Sequence, residues 1–451
     1  MRSARLSIWS NGIFLIWPFL ISLSIAAPCS AQNPINPPGL YTADPSARVM
    51  PDGRIYLYVS RDESPRYYCS HDYVVLSSAD LLNWKVHPDA FASAGPNDRV
   101  PYSDAYLYAP DGIFWKGLYY LFYCLSGGGE DEGVAVSNSP AGPFGQARPI
   151  AGISQIDPCV FVDDDGQPYL VWGQFNCKIA RLNSDLRSVD LNSIRIIATE
   201  KEHHFHEGAF MFKRQGIYYL LYADISRRNT PTCLGYATAS SPLGPFTYRG
   251  IIIDNTGCDP LVWNNHGSVA EFKGRWYVFY HRSTHASRMM RKTCLEPINF
   301  TADGLIPEVE MTSQGAGPPL DAFSRIEAER ACQLTGYVRL QYNSETKSEE
   351  LACIEHGNTA AYKYLNFGEK SEARQVVFRL APDRGGKVSI RIDQPWGPAI
   401  ANVEVPPGDG RTWTSISAPV QEVMGVHPIW LHFSGYEGSL MKLDWFLFER
   451  K

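Results

Sequence analysis

The sequence predicts an all-β protein with more than one domain. Short runs that alternate apolar and aromatic residues, such as 117–123 and 216–222, follow tight-turn signals and are typical of β-strands. No long amphipathic helical pattern competes with these runs. With 451 residues, 37 glycines and 32 prolines, the chain is too long for one ordinary core, and two or three domains are expected.

One phrase recurs five times before residue 300, and each copy leads through a turn into an apolar–aromatic strand. The copies open with Asp44-Pro45, Ala109-Pro110-Asp111, Asp157-Pro158, Glu207-Gly208 and His266-Gly267-Ser268. Repetition with a period of roughly 50 residues and several strands per unit is the signature of a β-propeller. Five copies predict five blades. Because the first strand of each blade lines the central channel, the opening residues should converge on one axis.

The repeat pattern covers residues 34–312 and then stops. Residues 313–322 are rich in glycine and proline, which is typical of a linker. From 323 to 451 new short strands appear without the repeated phrase, so a second domain, a jelly-roll-like β-sandwich, is predicted.

The N-terminal residues 1–31 have the pattern of a signal peptide. Arg2 and Arg5 precede an apolar stretch, and the segment ends in the small residue Ala31. A secreted or periplasmic location is therefore expected. No other stretch could span a bilayer, so no membrane contact is expected after cleavage.

Charge and cysteine content limit the partners further. The net charge of -6 includes no basic block, so nucleic acid is not an expected partner. Of ten cysteines, Cys29 would leave with the signal. Export permits disulfides, but the odd number remaining leaves at least one thiol unpaired or paired between chains.

Three carboxylates, Asp44, Asp157 and Glu207, each open a different repeat and should share one funnel. Hydrolysis of an acetal requires a proton donor and a base, which inverting enzymes hold roughly 6.5–9.5 Å apart. A third carboxylate raises the pKa of the donor, because neighbouring like charges disfavour ionisation. Metal binding is the competing use of such a cluster, and capping of strand starts before proline is the structural explanation. Their equivalent repeat positions favour glycoside hydrolysis.

The joint order of these motifs resembles glycoside hydrolase family 43. The motifs are Asp44-Pro45, Ile156-Asp157-Pro158 with Asp163-Asp164-Asp165-Gly166, Glu207-Gly208 and His266-Gly267-Ser268. The resemblance implies a five-bladed propeller that acts on arabinose- and xylose-containing plant polysaccharides by inversion, with no cofactor in catalysis. It also implies that Asp44 is the general base, that Glu207 is the general acid, and that Asp157 tunes and orients Glu207.

Three further residues are candidates for contact with substrate. By the resemblance, His266 is the axial histidine that organises the channel. Arg282 follows Tyr280-His281 and is expected to touch substrate, although pairing with a carboxylate is the alternative. Tyr108 could stack on a sugar or belong to the core. Two other functions stay open: an exo-galactosidase-type activity on galactan-rich glycans, and a catalytically silent glycan-binding protein, which the presence of all three carboxylates disfavours.

The second domain resembles a family 6 carbohydrate-binding module through Ile326-Glu327-Ala328-Glu329 and Leu443-Asp444-Trp445-Phe446. The resemblance implies that Glu327, Glu329 and Asp444 hold a structural calcium, an ion that prefers carboxylate oxygens. Tyr364 and Trp413 lie where such modules have aromatic residues. Lys442 stands where many members have a sugar-contacting asparagine, so a purely structural role for this domain is the alternative.

Overall fold

The computed structural model describes residues 32–127, 132–259 and 262–450, and it is almost entirely β. The predicted signal peptide, residues 1–31, lies outside the described residues, so secretion stays a prediction. Within the described ranges, helical structure is limited to α1 (Glu200–His203) and two 3₁₀ turns (Leu191–Ser193 and Ala328–Arg330). None of these is long and apolar enough to cross a membrane.

Each predicted repeat forms one antiparallel sheet whose strands follow chain order. The first sheet contains β1 (Tyr41–Val49), β2 (Ile55–Asp62), β3 (Asp72–Ser78) and β4 (Trp84–Ala92). The second contains β5 (Leu107–Trp115), β6 (Leu118–Leu125), β7 (Glu132–Ser137) and β8 (Gly145–Pro149). The third contains β9 (Cys159–Val162), β10 (Pro168–Trp172), β11 (Asn176–Arg181) and β12 (Arg195–Thr199). The fourth contains β13 (Phe205–Arg214), β14 (Ile217–Asp224), β15 (Cys233–Ala239) and β16 (Thr247–Asp254), and the fifth contains β17 (Ser268–Phe272), β18 (Arg275–Thr284) and β19 (Ser287–Ile298).

The sheets are arranged in a ring, as in a β-propeller. Each inner strand, from β1 through β5, β9 and β13 to β17, contacts the next, and β17 contacts β1. The start of the described chain adds to the fifth sheet: Ile35 N–H donates to Thr293 O at 3.0 Å, and Asn33 Nδ2 donates to Leu295 O at 3.0 Å. Residues 33–35 therefore join the last sheet of the ring.

Three of the five inner strands have an irregularity at the point where their repeats open. The pairing register shifts between Ala43 and Ser46 in β1, between Tyr108 and Asp111 in β5, and on both sides of Glu207 in β13. Such bulges leave residues unpaired and redirect their side chains, and they are common beside active sites. In these three repeats the motif therefore coincides with a bulge.

The second region is a sandwich of two six-stranded sheets. One sheet has the order β20 (Leu320–Asp321), β25 (Thr359–Asn366), β30 (Val426–Ser434), β27 (Gly386–Ile392) and β28 (Ala399–Val405), with β22 (Gln333–Leu334) also paired to β25. The other has the order β23 (Arg339–Asn343), β24 (Ser348–Ile354), β31 (Met441–Arg450), β26 (Ala373–Pro382) and β29 (Thr414–Pro419), with β21 (Ile326–Glu327) paired to β31. Apolar residues from both sheets form one buried core between them.

Buried polar contacts join the sandwich to the propeller. Lys292 Nζ lies 2.6 Å from Glu349 Oε1, and the Tyr41 hydroxyl donates to the same oxygen at 2.9 Å. Ser313 N–H donates to Lys363 O at 2.6 Å. Ser313 is fully buried, and β20 begins inside the predicted linker 313–322. This segment is therefore part of the junction between the two regions.

Candidate active site

The residues that open the repeats line one cavity of about 340 Å³. Five side chains predicted to act there reach it: Asp44, Tyr108, Asp157, Glu207 and His266. The lining also contains residues that the sequence analysis did not single out, among them Tyr68, Gln174, Trp263, Asn264 and Arg291. The convergence expected from the repeats is therefore observed.

Asp44 is a buried carboxylate fixed by cationic and hydroxyl donors. Arg291 NH1 donates to Oδ1 at 3.0 Å, and Ser60 Oγ donates to Oδ2 at 2.7 Å. Burial acts to raise the pKa of Asp44, but Arg291, two histidines and Ser60 outweigh it and lower the pKa to about 2. Asp44 is therefore ionised throughout the pH range in which proteins are usually assayed.

The backbone of Asp44 is also held in place by a histidine. Asp44 has a φ of 54°, in the left-handed region, and its N–H donates to Nδ1 of His281 at 3.3 Å. Because Nδ1 accepts, Nε2 of His281 carries the proton and donates to Asn264 Oδ1 at 3.1 Å. Burial lowers the pKa of His281 to about 3, in agreement with a neutral ring.

Asp157 occupies the bottom of the same cluster. It has a φ of 63°, and its Oδ2 accepts the N–H of Gly208 at 2.8 Å, which ties it to the strand that carries Glu207. Burial, together with the neighbouring charges of Glu207 and Asp44, raises the pKa of Asp157 well above its usual range. Asp157 therefore retains its proton at a pH where an ordinary carboxyl would be ionised.

Glu207 is the most accessible of the three carboxylates, with 17% of its side chain exposed. Gln174 Nε2 donates to its Oε2 at 2.8 Å. His206 Nε2 lies 4.0 Å from the same oxygen, and Nδ1 of His206 lies 3.2 Å from Glu200. Of the three carboxyls, Glu207 is therefore the one that a ligand in the cavity can contact most easily.

His266 lies between Asp44 and Asp157. Its Nδ1 is 3.6 Å from Asp44 Oδ1 and 4.0 Å from Asp157 Oδ2. Burial lowers the pKa of His266, so the ring is neutral near pH 7 and these contacts are not ion pairs. Gly208, with a φ of 71°, packs against the imidazole, and a Cβ there would lie 3.1 Å from the ring. Glycine at 208 therefore lets the histidine reach the cluster.

The prediction that Arg282 touches substrate is wrong, because Arg282 does not line the cavity. Its guanidinium is buried on the other face of β18, where it contacts Tyr280, Glu296 and the carbonyl of Thr312. Alternation along a strand places His281 and Arg282 on opposite faces. The arginine of the cavity is Arg291, on the neighbouring strand β19.

The aromatic residues predicted in the module do not meet. Tyr364 lies at the junction with the propeller, where its hydroxyl donates to Glu310. Trp413 precedes β29 and is partly exposed. Neither placement establishes a sugar contact, so glycan binding by these two residues stays a prediction.

The three carboxylates predicted to hold calcium are differently paired. Glu327 Oε1 lies 2.8 Å from Nε of Arg325, and Asp444 accepts the Ser348 hydroxyl at 3.0 Å. Glu329 is buried, which raises its pKa to about 7. Among the described residues no three His, Cys, Asp or Glu side chains are arranged to hold a metal. The three carboxylates do not fit a calcium site as placed, and calcium in this module stays an untested prediction.

The described cysteines form no disulfide. There are nine of them, from Cys69 to Cys353, and eight are buried. Their burial accounts for their presence as small apolar side chains in the core.

Comparison with known proteins identifies the family. Residues 31–306 match the model for glycosyl hydrolases family 43. The chain belongs to glycoside hydrolase family 43. It is therefore a glycosidase, and its first region is the propeller of that family. Residues 327–450 match the carbohydrate binding module of family 6.

Several relatives resemble this glycoside hydrolase over most of their length. An arabinoxylan arabinofuranohydrolase from Bacillus subtilis (strain 168) is 30% identical over 95% of this chain and 94% of its own. A xylosidase/arabinosidase from Bacteroides ovatus is 29% identical over 60% of this chain and 96% of its own. A solved structure of a Bacillus subtilis arabinoxylan arabinofuranohydrolase with cellotetraose has a TM-score of 0.55 and 27% identity, and the match covers 94% of this chain and 99% of that one. The matches to the two Bacillus subtilis proteins thus extend over both regions of this chain.

Proposed function

We propose that this enzyme is an inverting, exo-acting glycosidase that releases α-L-arabinofuranosyl or β-D-xylosyl units from plant polysaccharide. The observation that carries the proposal is the cavity of about 340 Å³ that gathers Asp44, Asp157 and Glu207. Its volume is at the small end of the range for ligand pockets, which suits a terminal sugar unit. Names of relatives, arabinofuranohydrolase and xylosidase/arabinosidase, support the two sugars.

In the proposed reaction Asp44 is the general base. Its carboxylate is ionised and held by Arg291 and Ser60, so it is ready to accept a proton from water without rearranging. The water oxygen then bonds to the anomeric carbon from the side opposite the leaving group, and the configuration inverts.

Glu207 is the proposed general acid. As the glycosidic C–O bond breaks, the carboxyl proton of Glu207 moves to the leaving oxygen, and Glu207 becomes a carboxylate. Asp157, which is held to the backbone of Gly208, supports this step by orienting the strand that carries Glu207. The proposed steps use no metal or cofactor.

The decisive experiment measures release of 4-nitrophenol from aryl α-L-arabinofuranoside and aryl β-D-xyloside, with wild type and the Glu207→Gln and Asp44→Asn variants. Turnover on one substrate that falls by about 10²–10⁴-fold in Asp44→Asn is expected. The anomer released first, followed by NMR, should be inverted. Near-wild-type rates in Asp44→Asn would remove it from the role of base, and a retained anomer would reject inversion.

A galactofuranoside is the second candidate substrate, because one relative is named β-D-galactofuranosidase. That protein, from Aspergillus niger, is 29% identical over 66% of this chain and 94% of its own. Adding the aryl β-D-galactofuranoside to the same assay separates this activity from the first two.

A further inference from the structure

Backbone hydrogen bonds hold both ends of the loop between β10 and β11 next to Asp157 and Glu207. Gly173 N–H donates to Ile156 O at 2.9 Å, next to Asp157, and Phe175 N–H donates to His206 O at 2.7 Å, next to Glu207. Gly173 has a φ of 118°, and a Cβ there would lie 2.5 Å from the carbonyl oxygen of Asn176. The residue between these anchors, Gln174, therefore has a fixed backbone position.

The side chain of Gln174 addresses one oxygen of Glu207. Nε2 of Gln174 donates to Oε2 of Glu207 at 2.8 Å. The other carboxyl oxygen, Oε1 of Glu207, has no hydrogen-bond partner among the described residues. An amide N–H can only donate. The carbonyl oxygen of a protonated carboxyl is a stronger acceptor than its hydroxyl oxygen. The bond from Gln174 therefore favours Oε2 as the carbonyl oxygen and Oε1 as the oxygen that carries the proton.

We propose that Gln174 is a positioning residue that selects Oε1 of Glu207 as the oxygen that carries the catalytic proton. The inference rests on the proposed role of Glu207 as general acid. When Oε1 gives its proton to the leaving oxygen, the new carboxylate keeps the hydrogen bond from Gln174, which becomes charge-assisted and therefore stronger. Gln174 thus acts on the protonation step and not on the attack of water.

The test compares Gln174→Met with wild type on two substrates that share one glycon. One is the 4-nitrophenyl glycoside, whose leaving group requires little protonation. The other is an oligosaccharide with an alcohol leaving group, which requires the acid. The matched control is Gln167→Met, because the Gln167 amide lies outside the cavity and donates to the carbonyls of Pro168 and Leu182.

In Gln174→Met, kcat/KM should fall by about 10- to 100-fold on the oligosaccharide, the scale of one hydrogen bond to a charged group. On the aryl glycoside the loss should stay within about threefold. The basic limb of the pH profile should move to higher pH, since the ionised acid loses a donor. Gln167→Met should show neither effect.

Equal losses on both substrates, or no loss on either, would overturn the proposal. The Glu207→Gln variant distinguishes that outcome from failure of the proposed function. If Glu207→Gln loses far more activity on the oligosaccharide than on the aryl glycoside and Gln174→Met does not, only the role of Gln174 fails. If Glu207→Gln does not discriminate, Glu207 is not the acid, and both assignments fail.

Discussion

Removal of the Arg291 guanidinium should shift the pH dependence of catalysis. Arg291 NH1 donates to Asp44, and its Nε and NH2 donate to Asp62 at 2.9 and 2.8 Å. Burial alone raises the pKa of Asp44, and Arg291 is the strongest group that lowers it. In Arg291→Met the pKa of Asp44 should therefore rise from about 2 to above its ordinary 3.8.

The structure sets the size of this effect. The difference between 3.8 and about 2 corresponds to roughly 2.5 kcal/mol of stabilisation of the Asp44 carboxylate. Because the folded pKa is the lower one, this stability is present above about pH 4 and is lost as the pH falls towards 2. The buried partners left without Arg291 should lower the free energy of unfolding by about 3–5 kcal/mol.

The assay is the pH profile of kcat/KM on the aryl glycoside, with urea unfolding in parallel. The acidic limb should move up by about two pH units or more in Arg291→Met, and by less in Arg291→Lys, which keeps a positive charge. Arg282→Met is the control: Arg282 is also buried and paired, with Glu296, but lies outside the cavity. It should lose stability without moving the limb. An unchanged acidic limb in folded Arg291→Met would refute this account of Asp44.

Three further changes have expected outcomes. Gly208→Ala places a Cβ 3.1 Å from the His266 ring at a φ of 71°, so kcat should fall by roughly 10-fold or more at a stability cost of about 1–3 kcal/mol, measured by kinetics and urea unfolding. Lys292→Met leaves the fully buried Glu349 without its cationic partner and should cost about 3–5 kcal/mol, whereas the double variant with Glu349→Leu should recover most of this loss in thermal melts. Trp413→Ala should weaken retention on insoluble arabinoxylan by roughly 10-fold while aryl glycoside turnover stays unchanged.

The repeats predicted the sheets and the convergence of Asp44, Asp157 and Glu207 on one cavity, because both follow from periodicity. The residues that open the five repeats lie within the inner strands or two residues before them: Asp44, Ala109, Asp157, Glu207 and His266. This position can be read directly from the repeated motif. Pairing across sheets is not periodic. The Arg291 contact with Asp44 spans 247 residues and belongs to no repeated motif, so no local pattern could identify it.

One error and one unexpected placement have a local physical reason. Arg282 follows His281, which faces Asp44. Because adjacent residues of a strand point to opposite faces, Arg282 points away from the cavity. Tyr364 is aromatic and lies on a strand of the module, yet its hydroxyl bonds to Glu310 at the junction. The sequence of a strand does not reveal which face of the module another domain covers.

The pairing of residues 33–35 with β19 has a consequence for biosynthesis. Asn33 bonds to Leu295 and Thr312, contacts that span 262 and 279 residues. At a synthesis rate of 5–20 residues per second, the first segment waits roughly 13–52 s for its partner to emerge from the ribosome. Until then the ring is open. The last sheet can therefore be completed only after β19 has been synthesised, which makes ring closure a late step in the folding of the described residues.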